Sequence, residues 1–292
     1  MLGGARRPAD PDQKATMTFD GYSTSLLIQL ALGLIATGVV AGILAGLLGV
    51  GGGIVIVPVL FWIMTTLHFA PEIAMPIAVA TSLITIIPTS ISSMRAHNKR
   101  GAVDKSLLKL WGPAVAVGAL VGGILSKVID GEGLLLIFGF IALAVSINMA
   151  IPKTLVISDA LPKSSLVNRA IALVIGFFSS LMGIGGGTLS VPTLSAFSFP
   201  IHKAVGTAAA IGLLIAVPGV LGFIWSGMEV DGRPPLSLGY VSVPAAIVIF
   251  PVTFLCAPIG AGLAHSLNQR YLKLAFAVFL AITAVKMLSS AF

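Results

Sequence analysis

The sequence predicts an all-α polytopic membrane protein made of two inverted-topology repeats, each of about five hydrophobic segments, with glycine-broken helices or re-entrant arms. Three observations lead there. The composition is too apolar for a water-soluble chain, the charges are confined between apolar runs, and a glycine–proline motif occurs twice.

Of 292 residues, 57% are apolar, 9% are charged and 33 are glycine, and mean hydropathy is +1.07. A soluble domain carries about 25% charged residues and roughly 45–50% apolar ones. The composition therefore excludes a soluble enzyme, a nucleic-acid-binding domain and a disordered chain, and it makes the lipid bilayer the main partner. The net charge of +7 is what positive-inside loops alone produce, so it does not call for a nucleic acid or another polyanion. The single cysteine, Cys256, excludes an internal disulfide and any multi-cysteine metal site.

Residues 1–24 hold Arg6, Arg7, Asp10, Asp12, Lys14 and Asp20 without a short apolar run and cleavage site, and read as a disordered tail rather than a signal peptide. The apolar runs then fall near 25–48, 54–67, 74–94, 107–128, 133–151, 166–182, 188–200, 204–225, 239–264 and 271–290. A membrane-crossing helix needs about 20 residues. The runs 54–67 and 188–200 are short for that and read as half-helices or re-entrant arms, so eight to ten crossings are expected. The first repeat spans 25–151, a cytoplasmic linker 152–165, and the second repeat 166–292.

Lys/Arg bias orients the chain. Arg95, Lys99, Arg100, Lys105 and Lys109 place loop 95–109 in the cytoplasm, as Lys153, Lys163 and Arg169 do for 152–169. Loop 226–238, with Glu229 and Asp231 against Arg233, falls outside, and 265–273, with Arg270 and Lys273, inside. Both termini come out external. Ionisable groups at bilayer depth usually mark ion pathways. None of the ten acids lies in the middle of an apolar run, so any transport site must use neutral donors: backbone N–H groups and hydroxyls.

Gly49-Val50-Gly51-Gly52-Gly53-Ile54-Val55-Ile56-Val57-Pro58 is matched by Gly183-Ile184-Gly185-Gly186-Gly187-Thr188-Leu189-Ser190-Val191-Pro192 at an offset of 134. Ala80-Thr81-Ser82 corresponds to Gly206-Thr207-Ala208, Val103-Asp104 to Val230-Asp231, and Val117-Gly118-Ala119 to Ile259-Gly260-Ala261. An odd number of segments per half inverts one half relative to the other, and the charge pattern agrees.

The motif has no βαβ context and no following Lys-Ser/Thr, so it is not a nucleotide loop. Three consecutive glycines weaken a helix by about 1 kcal/mol each relative to alanine, and Pro58 and Pro192 each remove a donor. Helix packing alone does not ask for that. A helix broken at membrane depth does, since unwound backbone is tolerated there only inside protein or along a wet cavity. The restarting arm presents free N–H groups and a positive dipole end, which suit an anion. The candidate substrate-binding residues are Gly49, Gly51, Gly52, Gly53, Thr81, Ser82, Gly183, Gly185, Gly186, Gly187, Thr188 and Thr207. A structural hinge is the competing reading. His68, His97, His202 and His265 lie near run ends without metal-ligand spacing, Asn148 reads as an interhelical hydrogen bonder, and no metal or cofactor is called for.

These paired motifs, with Ala80-Thr81-Ser82 and Gly206-Thr207, resemble the sulfite exporter TauE/SafE family over residues 30 to 290. The resemblance implies a multi-pass cytoplasmic-membrane permease for a small anionic substrate such as sulfite, sulfoacetate or a related organosulfonate. The second half departs from the first at Ala208, where the first has Ser82. A carrier for another solute and a non-transporting scaffold are the rivals. An intramembrane enzyme lacks its acid pair or Ser/His pair. A homo-oligomer is compatible with the sequence.

Overall fold

The computed structural model describes residues 24–151, 156–263 and 269–291. Most of the expected tail, Lys153, His265 and the basic residues Arg270 and Lys273 lie outside the residues or side chains described. Among the described residues, ten helices follow the ten apolar runs: α1 (Thr24–Leu48), α2 (Gly53–Thr66), α3 (Pro71–Asn98), α4 (Lys105–Leu125), α5 (Gly131–Ala150), α6 (Ser165–Leu181), α7 (Gly187–Ala196), α8 (Ile201–Gly227), α9 (Val243–Leu263) and α10 (Gln269–Ser289). One departure from an all-helical chain is a two-residue ladder, β1 (Ser237–Leu238) with β2 (Val241–Ser242), in the loop before α9. Leu236 and Gly239, both at positive φ, turn the chain there.

Local chemistry places the helix starts. Asp104 caps α4 by accepting from the N–H groups of Ser106 and Leu107, both at 3.0 Å. Asp130 caps α5 through Gly133 N at 2.7 Å, and Pro71 opens α3 at a position that needs no N–H donor. Among the described residues, six helices (α1, α3, α4, α5, α8 and α9) are long and apolar enough to cross a membrane. α2 and α7 are short, as their sequences suggest.

α3 and α8 form the centre and pack on each other. Their apolar windows are 78% and 67% buried, against 33–44% for the other four long helices. α1 packs on α9 and α4 on α6, while α5 and α10 pair at the periphery. Large apolar side chains on the outer helices face outward, among them Leu32, Val117, Phe140, Ile247, Leu255 and Ile282. Among the described residues no Asp, Glu, Lys or Arg is buried. Water is the wrong solvent for this surface and lipid the right one.

Contacts in one half have counterparts in the other. Gly42 of α1 abuts Thr253 of α9, and Gly176 of α6 abuts Val115 of α4. Gly260 of α9 abuts Ile43, and Gly122 of α4 abuts Phe177. In each case the α1 and α6 residues differ by 134 in number and the α4 and α9 residues by 138. These contacts pair Gly260 with Gly122, one turn beyond the Gly118 expected from sequence. Likewise, the residue that holds the place of Asp104 ahead of α9 is Ser242 rather than Asp231. The shift arises because the loop before α9 is longer than the one before α4.

Candidate functional site

Each glycine stretch interrupts a helix. After α1, Gly49, Gly51 and Gly52 take φ values of 68°, 73° and 81°, a left-handed region that costs any residue with a Cβ about 1–2 kcal/mol. The chain restarts as α2, with Val55 and Ile56 N–H bonding Gly52 O at 3.1 and 3.2 Å. In the second stretch Gly183 alone is left-handed, at 64°, and Gly186 is right-handed helical. Identical glycine spacing therefore gives two different turns.

The turns meet at the centre of the molecule. Gly185 N–H donates to Val50 O at 3.1 Å, and a Cβ on Gly185 would lie 2.6 Å from that oxygen and 2.8 Å from Gly51 Cα. Gly187 abuts Gly49, and Gly53 abuts the carbonyl of Gly183. Ser82 Oγ donates to that same carbonyl at 2.6 Å. The structure thus brings Gly49, Gly51, Gly53, Ser82, Gly183, Gly185 and Gly187 together. Gly52 instead abuts Ala41 of α1, and Gly186 abuts Ala208 and Gly212 of α8.

Thr81 and Thr207 have a different role. Thr81 Oγ1 accepts from Ser242 N–H and Thr207 Oγ1 from Asp104 N–H, each at 2.9 Å. These two bonds pin the starts of α9 and α4 onto the central helices α3 and α8. The Asp104 carboxyl beside one of them is held below its ordinary range, first by the Ser106 hydroxyl and then by the Leu107 N–H. At the other end of the same helices, Arg100 Nη1 donates to Ala261 O at 2.7 Å and Ser226 Oγ to Gly123 O at 3.0 Å.

Thr188 is fully enclosed and its hydroxyl has no hydrogen-bond partner; the same holds for Ser90, Ser179 and Ser190. The last three were not among the residues expected from sequence. Ser90 lies in the run Thr89-Ser90-Ile91-Ser92-Ser93 inside an otherwise apolar helix, and Ser190 lies one turn past Gly186. Hydroxyls in apolar surroundings are the signal the sequence carries for both. Among the described residues, nothing accepts from the N–H groups of Gly187, Thr188 and Leu189. The site is neutral, amide-rich and hydroxyl-lined, suited to donate hydrogen bonds to a negatively charged group.

Comparison with known proteins agrees with this architecture. Residues 34–287 match the family described as sulfite exporter TauE/SafE. A probable membrane transporter protein of Haemophilus influenzae is 34% identical over 253 residues, covering 86% of this chain and 95% of that protein. One from Bacillus subtilis is 31% identical over 66% of this chain and 78% of its own length. Another, from Methanocaldococcus jannaschii, is 26% identical over 87% and 94%. No solved structure matches.

Proposed function

Because the chain belongs to the sulfite exporter TauE/SafE family and is thus a multi-pass membrane transporter, we propose that it exports small sulfur oxyanions. Sulfite, sulfoacetate and related organosulfonates are the substrate class. They leave through a neutral, amide-rich site between two inverted repeats, 25–151 and 166–292, joined by a cytoplasmic linker. The membrane is the cytoplasmic one.

The observation that carries this reading is the crossing of the two broken helices at the buried centre, with free amides and, among the described residues, no buried carboxylate or cation around it. An anion there finds donors without a competing counter-charge. Paired contacts support the inverted repeat: α1 with α9 against α6 with α4, Thr81–Ser242 against Thr207–Asp104, and Arg100–Ala261 against Ser226–Gly123.

The energetics need no coupling ion. Moving one charge through 100 mV is worth about 2.3 kcal/mol, and a dianion leaving a negative-inside cell gains twice that. Export is therefore electrogenic and free of an obligatory proton or sodium ion. The test is charge movement across proteoliposomes after pulses of sulfite, sulfoacetate, sulfate and chloride at controlled pH. A current with sulfite or sulfoacetate, absent with chloride and persisting without a proton gradient, is expected. Silence to all four from folded protein would overturn the proposal, and a strict proton requirement at clamped potential would overturn its uncoupled form.

A further inference from the structure

The two helix starts at the crossing share their glycines but not their chemistry, and we infer that the oxyanion is held at only one of them, the first turn of α7. This rests on the transport reading above and assigns its donors. At that turn the N–H groups of Gly187, Thr188 and Leu189 point out of the helix end with no acceptor among the described residues. Ser90 Oγ and Ser190 Oγ complete the site.

The placement follows from the packing of α7 on α8. A Cβ on Gly212 of α8 would lie 2.7 Å from Ser90 Oγ and 3.3 Å from Gly186 N. Ser90 Oγ and the α7 start therefore meet at the bare Cα of Gly212, which sets that hydroxyl beside the free amides. Ser190 is one helical turn beyond Gly186 and shares its face, the face that abuts Gly212. Both hydroxyls are essentially inaccessible, at 1% and 0% exposure, and neither has a hydrogen-bond partner. Buried hydroxyls are rarely left that way unless a ligand or water completes them.

The start of α2 also has N–H groups without an acceptor, at Gly53 and Ile54, but it lacks these hydroxyls. Ile54 and Ile56 stand where α7 has Thr188 and Ser190, at the offset of 134 that aligns the motifs. Ala216 stands where α3 has Ser90, at the offset of 126 that aligns Thr81 with Thr207. The hydroxyl that does lie beside the α2 start, Ser82 Oγ, is already spent on the Gly183 carbonyl. Duplication thus supplied two helix ends, and side chains made one of them the binding site for a single sulfite or sulfonate group.

The test is titration of the purified full-length protein with sulfite and with sulfoacetate, followed by transport of the same anions in proteoliposomes. The native protein is expected to bind one anion per chain. Ser90→Ala and Ser190→Ala each weaken binding about tenfold or more, as loss of a hydrogen bond to a charged group does. Gly212→Ala, whose methyl would press on the Ser90 hydroxyl and the α7 start, weakens it further, and Ser190→Thr, which keeps the hydroxyl, restores it. Ser90→Ala removes a hydroxyl that has no partner in the fold, so the ligand-free variant unfolds at or above the native temperature. Unchanged affinity in both alanine variants, or two anions per chain, would overturn the single site while leaving the transport reading intact. A native protein that neither binds nor moves either anion would overturn both.

Discussion

Replacing Gly52, Gly101 and Gly185 by alanine separates backbone conformation from close approach at the broken helices. Gly101 has φ 67° and open space around its Cβ position, so Gly101→Ala loses about 1–2 kcal/mol from the left-handed backbone alone. Gly185 lies outside the left-handed region, but its Cβ would stand 2.6 Å from Val50 O and 2.8 Å from Gly51 Cα. Both obstacles are backbone, so the two turns must separate by about 0.4 Å to reach even the closest contacts a Cβ makes, which places the cost in the overpacking range of about 1–3 kcal/mol. Gly52 combines φ 81° with Ala41 O at 2.8 Å, and Gly52→Ala loses about 2–5 kcal/mol, the two effects together. Equilibrium unfolding in detergent measures these losses, and proteoliposome transport measures their functional counterpart. Gly185→Ala is expected to slow transport more than Gly101→Ala does at similar stability, because only the former moves the crossing. Native stability in Gly185→Ala, or Gly52→Ala no worse than Gly101→Ala, would refute the reasoning.

Other changes probe the ties around the crossing. Ser82→Ala leaves the buried Gly183 carbonyl without its donor, and a loss of about 1–3 kcal/mol is expected in the same unfolding assay. Thr81→Val and Thr207→Val each orphan one buried N–H, so both should destabilise by a similar amount, and a loss at one site alone would contradict their equivalent roles. Asp104→Ala removes the α4 cap, worth about 1 kcal/mol, while Asp104→Asn, which still caps, is expected to lose less. Since the Asp104 carboxyl titrates below its ordinary value of 3.8 in the fold, its charged contribution is complete above that pH and fades as pH falls through the lowered value. Unfolding profiles of the native and Asn variants should therefore converge at acid pH.

The helices were legible in the sequence because lipid forbids charges along a spanning segment, so the polar breaks outline each run. The runs 54–67 and 188–200 were recognisable as short arms for the same reason. The meeting of the two glycine turns was also foreseeable, since neither turn can lie against lipid. What sequence could not separate was the work of each glycine. Gly52 and Gly186 occupy the same place in the motif, yet one needs a left-handed backbone and the other needs room beside α8. Thr81 and Thr207 lie close to the motif in three dimensions, but their hydroxyl oxygens face helix starts far along the chain. Ser90 was hidden because its relation to Gly186 runs through α8, a contact that no linear spacing records. The two-residue ladder before α9 was likewise too short to leave a period.

The partnership of α1 with α9 and of α6 with α4 means that chain order and mechanical order differ. Each peripheral pair draws one helix from either side of the linker, so no cut between residues 151 and 165 yields two pieces that can bury their own surfaces. The packed units are therefore mixed pairs held on α3 and α8, rather than a front half and a back half.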